Sequence, residues 1–284
     1  MTITASDIST TTDLNQKARP VLKWAGGKTQ LIPQLNRVTP IGFGKYIEPF
    51  IGGGAYFFHL DPEQAIIGDT NAELISLYKV LATDADKVAE ALAAMPISAD
   101  EFYKIRSQDW EQLCSVEAAA RTIYLNRLCF NGLYRVNRRG QFNVPYGNYM
   151  NPKMPDYQTL AASGKALSRA SIVKGDYIAV LHEHAAPGDF VFLDPPYIPI
   201  SHYSDFKRYT VEPFHEDDHH KLAAEVHRLS CLGCHVVLTN SNHPLVHELY
   251  KDFEIQVVET RRNINSKGSL RRGEDVIVVA VANP

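Results

Sequence analysis

The segment best suited to chemistry follows the apolar run at residues 190–193. It consists of Asp194, Pro195, Pro196 and Tyr197 (DPPY). Open α/β sheets bind ligands at the carboxyl ends of such strands, and two prolines stiffen the turn and remove two backbone donors. The Asp194 carboxylate and the Pro195 carbonyl therefore predict a site for a planar group bearing an NH2, such as a nucleobase stacked on Tyr197. A strand terminator or a polyproline ligand is the alternative, which the buried-strand context disfavours.

A second candidate site combines a glycine turn with an acid. Three glycines at residues 52–54 follow a predicted strand at 45–50, and Asp69 ends the next predicted strand at 65–69. Glycines allow a ligand to approach where a Cβ would collide. The carboxylate can accept both hydroxyls of a ribose, or cap the helix that follows it. This order predicts a βαβ unit for a nucleoside-bearing ligand.

Two common nucleotide-binding motifs are incomplete. The GGKT sequence at residues 26–29 ends like a P-loop, but its first glycine would fall at Leu22. A dinucleotide fingerprint that starts at Gly52 would need a third glycine where Phe57 stands. The motifs therefore do not support ATP hydrolysis or NAD binding.

Basic residues are concentrated in two stretches of a chain whose formal net charge is -3. Residues 121–153 hold six basic residues and no acid, and residues 261–272 hold five and no acid. The alternative interpretation is that the two stretches are solvated loops without a binding role. We expect a nucleic-acid partner, because phosphate contacts supply most of the nonspecific affinity for nucleic acids.

Cysteines and histidines raise the question of a metal site. Cys231 and Cys234 are spaced C-x-x-C, and His243 and His247 follow, but the interval between the pairs is too short for a zinc finger. We therefore expect reduced thiols packed between a helix and a strand. A solvated helix start, rather than a metal site, is expected for the histidine pair at residues 219–220. No metal is predicted.

The composition is that of an ordinary globular protein. Of the 284 residues, 45% are hydrophobic and 21% are charged, and a chain of this length can bury a core without disulfides. No run approaches the roughly 18 apolar residues of a membrane span. The first 18 residues lack the layout of a signal peptide. We therefore expect a cytoplasmic protein without membrane partners.

Alternating strands and helices must position these groups. Further strands are predicted at residues 171–173, 189–193, 235–239, 255–259 and 276–282. Helices are predicted at residues 55–60, 71–81, 84–95, 117–128, 216–229 and 244–251. Residues 130–155 have no clear period and predict loops or a hairpin. The pattern indicates one α/β domain with a basic insertion.

These pieces together resemble Dam-type DNA adenine-N6 methyltransferases, in the alpha group whose cofactor motifs precede the recognition region and the DPPY motif. The resemblance covers residues 21–281 and is carried by KWAGGK (23–28), EPFIGGG (48–54), DTN (69–71), NGLYR (131–135), QFNVPYG (141–147) and DPPY (194–197). It implies a Rossmann-like S-adenosylmethionine-dependent methyltransferase sheet formed by residues 19–82 and 156–284. The implied target-recognition insertion, of helices and loops, spans residues 83–155, and residues 1–18 are expected to form a flexible tail.

The resemblance implies S-adenosylmethionine as the methyl donor. The residues implied to bind it are Trp24, Lys28, Glu48, Pro49, Phe50, Gly52, Gly54, Asp69, Asp176, Tyr177 and Asp194. Lys28 would face the methionine carboxylate, Trp24 would form an aromatic wall, and Asp69 would hold the ribose.

The implied reaction is methyl transfer to N6 of an adenine flipped out of duplex DNA, since the base cannot be reached inside the duplex. Asp194 and the Pro195 carbonyl would accept hydrogen bonds that favour a pyramidal nitrogen with an available lone pair. Pro196 and Tyr197 complete the catalytic set, with Tyr197 stacking on the base. In-line attack needs no covalent enzyme intermediate.

The implied partner is double-stranded DNA. A monomer is the simplest expectation, and it would associate with the nucleoid through this DNA. The residues implied to touch DNA are Lys23, Phe130, Asn131, Leu133, Arg135, Asn137, Arg138, Arg139 and Pro145. Arg135 resembles the guanine-reading arginine, and Phe130 could wedge into the stack. The target sequence that the resemblance implies is GATC. Asn148 departs from the arginine expected after Pro-Tyr-Gly.

Three alternatives stay open at this point. Methylation of cytosine N4 or of RNA adenine is less favoured, because Asp194 rather than serine heads the motif. A protein-glutamine methyltransferase would more often have asparagine there. An inactive DNA-binding protein on the same fold should have lost Asp194, Tyr197 or the glycine turn, and all of them are intact.

Overall fold

A seven-stranded sheet organises the described part of the chain, which comprises residues 16–24, 27–137, 139–200, 214–261 and 272–281 of this computed structural model. The strands are β1 (Tyr46–Glu48), β2 (Ala65–Asp69), β3 (Ala170–Lys174), β4 (Phe190–Leu193), β5 (His235–Ser241), β6 (Glu254–Arg261) and β7 (Arg272–Ala280). Their order is β3-β2-β1-β4-β5-β7-β6, with β1 to β5 parallel and β7 antiparallel between β5 and β6. This arrangement confirms the predicted Rossmann-like α/β class.

Helices cover the sheet and form the insertion. They are α1 (Ile32–Val38), α2 (Ala55–Leu60), α3 (Ala72–Ala93), α4 (Ala99–Ser107), α5 (Ser115–Leu128), α6 (Tyr157–Leu167), α7 (Tyr177–His184), α8 (Glu216–Leu232) and α9 (Pro244–Leu249). Several begin at side chains that accept a hydrogen bond from the first turn, among them Asn71 for α3 and Asp176 for α7. Such caps stabilise backbone N–H groups that have no partner inside the helix.

The centre of the sheet lies between two apolar layers. Every residue of β4 is fully buried, and in β5 only the first residue is partly exposed. Strands covered on both faces read as continuous apolar runs rather than as alternating ones. This continuous apolar pattern makes β4 and β5 recognisable in the sequence. The loop that follows β4 therefore lies at the carboxyl edge of the sheet.

The structure departs from the predicted elements in two respects. The helices predicted at residues 71–81 and 84–95 form the single helix α3, whose backbone leaves helical geometry at Asp84 (φ -131°, ψ 34°). Sequence patterns also do not reveal four helices of the described chain, α1, α4, α6 and α7. The shorter ones, such as α4 with only Phe102 and Ile105 buried, show too few apolar positions to establish a period.

The predicted irregular region at residues 130–155 contains a narrow hairpin-like arrangement. Isolated antiparallel bridges join Cys129 to Tyr146 and Val136 to Phe142. A short 3-10 turn at Phe130–Gly132 lies between Cys129 and Val136, with Asn131 at φ 55°. The loops are therefore held to α5 rather than free of it.

Buried charge ties the insertion to α3. The Arg121 guanidinium donates to Glu73 at 2.7 Å, and the two side chains are only 3% and 5% exposed. Thr122 and Tyr134 also donate to the Glu73 carboxylate, at 2.8 and 2.7 Å. The other guanidinium nitrogens donate to backbone carbonyls, one of them that of Ile105. A buried pair with this many partners is costly to break, because the remaining charge cannot reach water.

The cysteine prediction is half right. All four thiols are free. Cys234 is buried, with its Sγ donating to the Ala186 carbonyl at 3.3 Å. Cys231 is exposed on α8, because its position in the helix faces outward, so it does not pack between helix and strand as expected. Among the described residues, no three His, Cys, Asp or Glu side chains are grouped so that they could hold a metal ion.

Breaking the buried pair tests this account of the insertion. Glu73→Gln leaves the Arg121 charge without its carboxylate and is expected to lower the free energy of unfolding by about 3–5 kcal/mol. Urea denaturation measures the change. Lys104→Gln, which removes an exposed ion pair with Glu101, is the control and should leave the midpoint unchanged. Equal effects of the two substitutions would contradict the argument.

Candidate active site

Asp194 lies at the carboxyl end of β4, where Thr239 of β5 holds it. Leu193 pairs with Leu238 in the parallel ladder, which places Asp194 and Thr239 at the next position. The Thr239 hydroxyl donates to Asp194 Oδ1 at 2.8 Å. Hydrogen bonds to an ionised group are about twice as strong as neutral ones, so β5 orients the carboxylate.

Lys28 forms an ion pair with the other carboxylate oxygen. Its Nζ lies 2.6 Å from Asp194 Oδ2, with the side chains 8% and 21% exposed. The same Nζ lies 4.8 Å from the ring centroid of Tyr197. A cation held between a carboxylate and an aromatic face with little water nearby interacts strongly with both. Lys28 therefore connects the first and last residues of the DPPY segment.

Glu48 contributes a second buried carboxyl group to this part of the site. It ends β1, is 3% exposed and accepts a hydrogen bond from the Tyr46 hydroxyl at 2.7 Å. Burial raises the pKa of Glu48 well above its ordinary value, and the nearby charge of Asp194 raises it further. These effects favour a neutral Glu48 beside the Lys28–Asp194 ion pair.

The glycine turn makes close contact with Trp24. Gly52 has a φ of 45°, and a Cβ there would lie 2.7 Å from Trp24 Nε1. A Cβ on Gly53 would lie 2.6 Å from Trp24 Cβ. Only glycine combines this backbone conformation with such an approach. The Trp24 ring also stacks on Tyr134, with centroids 5.3 Å apart.

Asp69 ends β2 beside the glycine turn, as predicted from the sequence. Its carboxylate accepts hydrogen bonds from the backbone N–H groups of Gly52 at 3.2 Å and Asn71 at 2.9 Å. Burial raises its pKa to about 6, although these N–H groups act in the opposite direction. A carboxylate has about four acceptor positions, so Asp69 can accept further donors.

Aromatic rings line the neighbouring wall. Phe50 stacks on Tyr177, with centroids 5.1 Å apart, and Phe214 lies edge-on to Phe50 at 6.2 Å. The prediction of a solvated helix start is wrong for His219, which is 4% exposed and packs edge-on against Phe214 at 4.8 Å. Burial accordingly lowers its pKa to about 4. Asp176 caps α7 through the Ile178 N–H.

A single cleft brings together both predicted sets. It is lined by Trp24, Lys28, Glu48, Pro49, Phe50, Gly52, Gly54, Asp69, Asp176 and Tyr177, and by Asp194, Pro195, Pro196 and Tyr197. Every residue predicted for cofactor binding or catalysis therefore faces the same space. Lys23, predicted to contact DNA, lies at the edge of this cleft as well.

The predicted DNA-binding residues that the structure describes lie on and around the hairpin-like loops. The Phe130 N–H donates to the Pro145 carbonyl at 2.8 Å, and Phe130 is 51% exposed. Asn131, Arg135, Arg139 and Pro145 are exposed, and Leu133 is half-buried. Arg135 Nε donates to Asn143 Oδ1 at 2.7 Å. The structure thus presents an aromatic ring and a fixed guanidinium on one loop region.

Two polar residues of this set have structural tasks of their own. Asn137 Oδ1 accepts hydrogen bonds from the backbone N–H groups of Arg139 and Gln141, at 2.9 and 3.1 Å, and so shapes the turn. Lys23 packs its stem against Gly132, and its Nζ lies 4.4 Å from the Tyr149 ring centroid. Arg138 and most of the second basic stretch, residues 262–271, lie outside the described residues.

Three residues of the site were not found from the sequence. Thr239 requires knowledge of the β4–β5 register. Tyr134 stands within a predicted recognition loop, and its stack on Trp24 depends on packing between distant segments. His219 is covered by Phe214, which only the position of α8 brings about. The order of strand-ending polar residues is the signal that could have indicated Thr239.

Comparison with known proteins shows which family the chain belongs to. Residues 24–264 match the family described as D12 class N6 adenine-specific DNA methyltransferase. The type II methyltransferase M1.LlaDCHI of Lactococcus lactis subsp. cremoris is 42% identical over 269 residues, covering 92% of this chain and 94% of that protein. The type II methyltransferase M.MjaIII of Methanocaldococcus jannaschii is 39% identical over 278 residues, 90% and 96% of the two chains. The DNA adenine methylase of Escherichia coli is 32% identical over 267 residues, 93% and 95%.

The chain belongs to the D12 class of N6 adenine-specific DNA methyltransferases. It is therefore an adenine-specific DNA methyltransferase, as the residue pattern predicts, and DNA is its substrate. Within the described residues, no helix combines the length and apolarity needed to cross a membrane.

The Thr239 contact gives a test of the site. Thr239→Val removes the hydroxyl that donates to Asp194 while keeping the shape, and should lower kcat about 10- to 100-fold. Thr239→Ser keeps the hydroxyl and should stay within a few-fold of wild type. Methyl transfer is measured at saturating substrates, with thermal melting as a check on folding. A valine variant as active as the serine variant would refute the role of this contact.

Proposed function

We propose that this methyltransferase uses S-adenosylmethionine to methylate N6 of adenine within GATC in duplex DNA. One observation carries the proposal: the Asp194 carboxylate, held by Lys28 and Thr239, opens onto the same cleft as the glycine turn and Asp69. The cleft thus combines acceptors for an amino group with features that suit a nucleoside.

The cleft fits S-adenosylmethionine at several points. Asp69 has acceptor positions left for ribose hydroxyls, the turn at Gly52 brings backbone close to the cleft, and Phe50 with Tyr177 offers an aromatic surface. When bound, this cofactor supplies a methyl group on a positively charged sulfur. The prediction that Lys28 faces its carboxylate stays untested, and the ion pair gives Lys28 the further task of fixing Asp194.

Asp194 and Pro195 act on the target amine. Hydrogen bonds from the adenine NH2 to the Asp194 carboxylate and the Pro195 carbonyl favour a pyramidal N6 with an available lone pair. The Tyr197 ring stacks on the flipped base and offsets part of the unstacking cost of a few kcal/mol. Asp194 is also the carboxylate placed to take up the proton that the methylated amine releases.

Recognition of GATC is proposed for the loops around Arg135. An exposed guanidinium can contact O6 and N7 of guanine, worth about 1–3 kcal/mol of discrimination. Phe130, exposed beside Pro145, is proposed to occupy the gap beside the extruded base, with Leu133 and Lys23 reaching neighbouring bases. Arg138 and Arg139 are proposed for phosphates.

We also propose a domain division and a cellular location for this chain. The division into a catalytic part (residues 19–82 and 156–284) and a recognition insertion (83–155) is supported by the break of α3 at Asp84. We propose a cytoplasmic monomer that associates with the nucleoid through DNA, because this arrangement gives the protein access to its substrate.

The direct test is methyl transfer from labelled S-adenosylmethionine to two matched duplexes. One carries a central GATC, and in the other the adenine is replaced. Wild type should label only the first duplex, and Asp194→Ala should label neither, even at saturating S-adenosylmethionine. Arg135→Ala is expected to lose about 10-fold or more in its preference for GATC over a duplex with the guanine changed.

Each failure has a separate meaning in this test. Label on genomic DNA but on neither duplex would refute GATC as the target sequence. The assignment as an adenine methyltransferase would stand. Transfer by Asp194→Ala at the wild-type rate would refute the catalytic assignment. Absence of cofactor binding by the folded wild type would refute the use of S-adenosylmethionine.

The pKa of Asp69 leads to a prediction on pH. Burial raises this pKa to about 6, and ribose hydroxyls donate best to the ionised carboxylate. The affinity for S-adenosylhomocysteine should therefore be full above pH 7 and fall about tenfold per pH unit below 6, because binding then requires loss of a proton. Calorimetric titration from pH 5 to 8 measures it. Asp69→Asn should bind weakly with a flat profile; an equally flat wild-type profile would contradict the role of Asp69.

A further inference from the structure

Trp24 contacts two parts of the molecule with different predicted tasks. It meets the glycine turn so closely that a Cβ on Gly52 or Gly53 would lie within 2.7 Å of it. Its ring also stacks on Tyr134, with an angle of 24° between the rings. The turn belongs to the proposed cofactor site and Tyr134 to the proposed recognition loops. Trp24 therefore contacts both the proposed cofactor site and the proposed recognition loops.

The Tyr134 ring cannot easily leave this position. It is 5% exposed, and its hydroxyl donates to Glu73 Oε2 at 2.7 Å. Glu73 in turn is fixed by Arg121 and Thr122 of α5 at 2.7 and 2.8 Å. A buried, fully engaged network of this kind transmits displacement, because close-packed interiors yield little.

A second contact leads from Tyr134 towards the ribose acceptor. The Tyr134 hydroxyl lies 3.4 Å from Asn71 Oδ1. The backbone N–H of Asn71 donates to Asp69 at 2.9 Å, and Asn71 caps α3. Tyr134 is therefore connected to both the glycine turn and Asp69.

On the DNA side, Tyr134 stands between two of the residues proposed to contact bases. Leu133 precedes it and Arg135 follows, and the Arg135 guanidinium donates to Asn143 Oδ1 at 2.7 Å and to the Asn143 carbonyl at 3.4 Å. Contacts of Leu133 or Arg135 with DNA would act on the short backbone segment that carries Tyr134, and the Tyr134 ring is stacked on Trp24.

We propose that Tyr134 is a positioning residue that couples recognition of DNA to binding of the cofactor, through its stack on Trp24 and its hydrogen bond to Glu73. The inference rests on the proposed function, since it requires S-adenosylmethionine in the cleft. Coupling between two binding sites is reciprocal. Each ligand should therefore increase the affinity for the other by the same factor, which is commonly about 5- to 150-fold.

Four proteins test the proposal: wild type, Tyr134→Leu, Tyr134→Phe and Tyr124→Phe. The last is the matched control, because Tyr124 is a buried tyrosine of the same insertion whose hydroxyl donates to the Pro96 carbonyl. Calorimetry gives the affinity for S-adenosylhomocysteine with and without a saturating GATC duplex. Fluorescence anisotropy gives the affinity for the duplex with and without S-adenosylhomocysteine.

Wild type and Tyr124→Phe should show the same coupling factor of at least fivefold from both directions. Tyr134→Leu, which loses ring and hydroxyl, should reduce the factor to within twofold of one. Tyr134→Phe keeps the ring and should fall between them. A merely structural role would lower the melting temperature and leave the ratio of affinities unchanged.

Coupling in Tyr134→Leu equal to that of wild type would overturn the proposal, as would a wild type without coupling that binds each ligand separately. If Tyr134→Leu does not fold, Tyr134→Phe decides: a factor reduced at least twofold supports the proposal, and an unchanged factor overturns it. A folded wild type that binds the duplex but not S-adenosylhomocysteine refutes the proposed cofactor instead, and removes the basis of this inference.

Discussion

The ion pair between Lys28 and Asp194 is the interaction on which the rest of the site depends. A carboxylate at the end of a buried strand needs partners, since the desolvation cost of an unpaired charge is several kcal/mol. Lys28 and Thr239 provide them from opposite sides, at 2.6 and 2.8 Å. The carboxylate is thereby aimed before any substrate arrives, and such preorganisation is a general source of catalytic power.

The distribution of the other acids follows the same constraint. Glu48 and Asp69 are also buried, yet each has a different task set by its surroundings. Burial and the charge of Asp194 raise the pKa of Glu48, which favours its neutral form, so two negative charges are not forced together. Burial raises the pKa of Asp69 to about 6, while backbone N–H groups stabilise its ionised form. One cleft thus accommodates three carboxyl groups with unlike properties.

Sequence patterns predict the parts of this arrangement that depend on local order. The DPPY segment follows a continuous apolar run, and Asp69 follows another, so both positions at the edge of the sheet could be predicted. Thr239 could not, because its contact depends on strand register. The burial of His219 and the stack of Tyr134 on Trp24 depend on which helix or loop covers the cleft. Local periodicity carries no information about such contacts.

The measurement that tests the central claim most directly is the single-turnover rate of methyl transfer in Lys28→Met at saturating S-adenosylmethionine and DNA. The account predicts that this rate falls at least 10-fold even when the cofactor site is filled, because Asp194 loses the cation that orients it. The affinity for S-adenosylhomocysteine is measured alongside. A wild-type single-turnover rate, with only cofactor affinity reduced, would contradict the account and restrict Lys28 to the cofactor carboxylate.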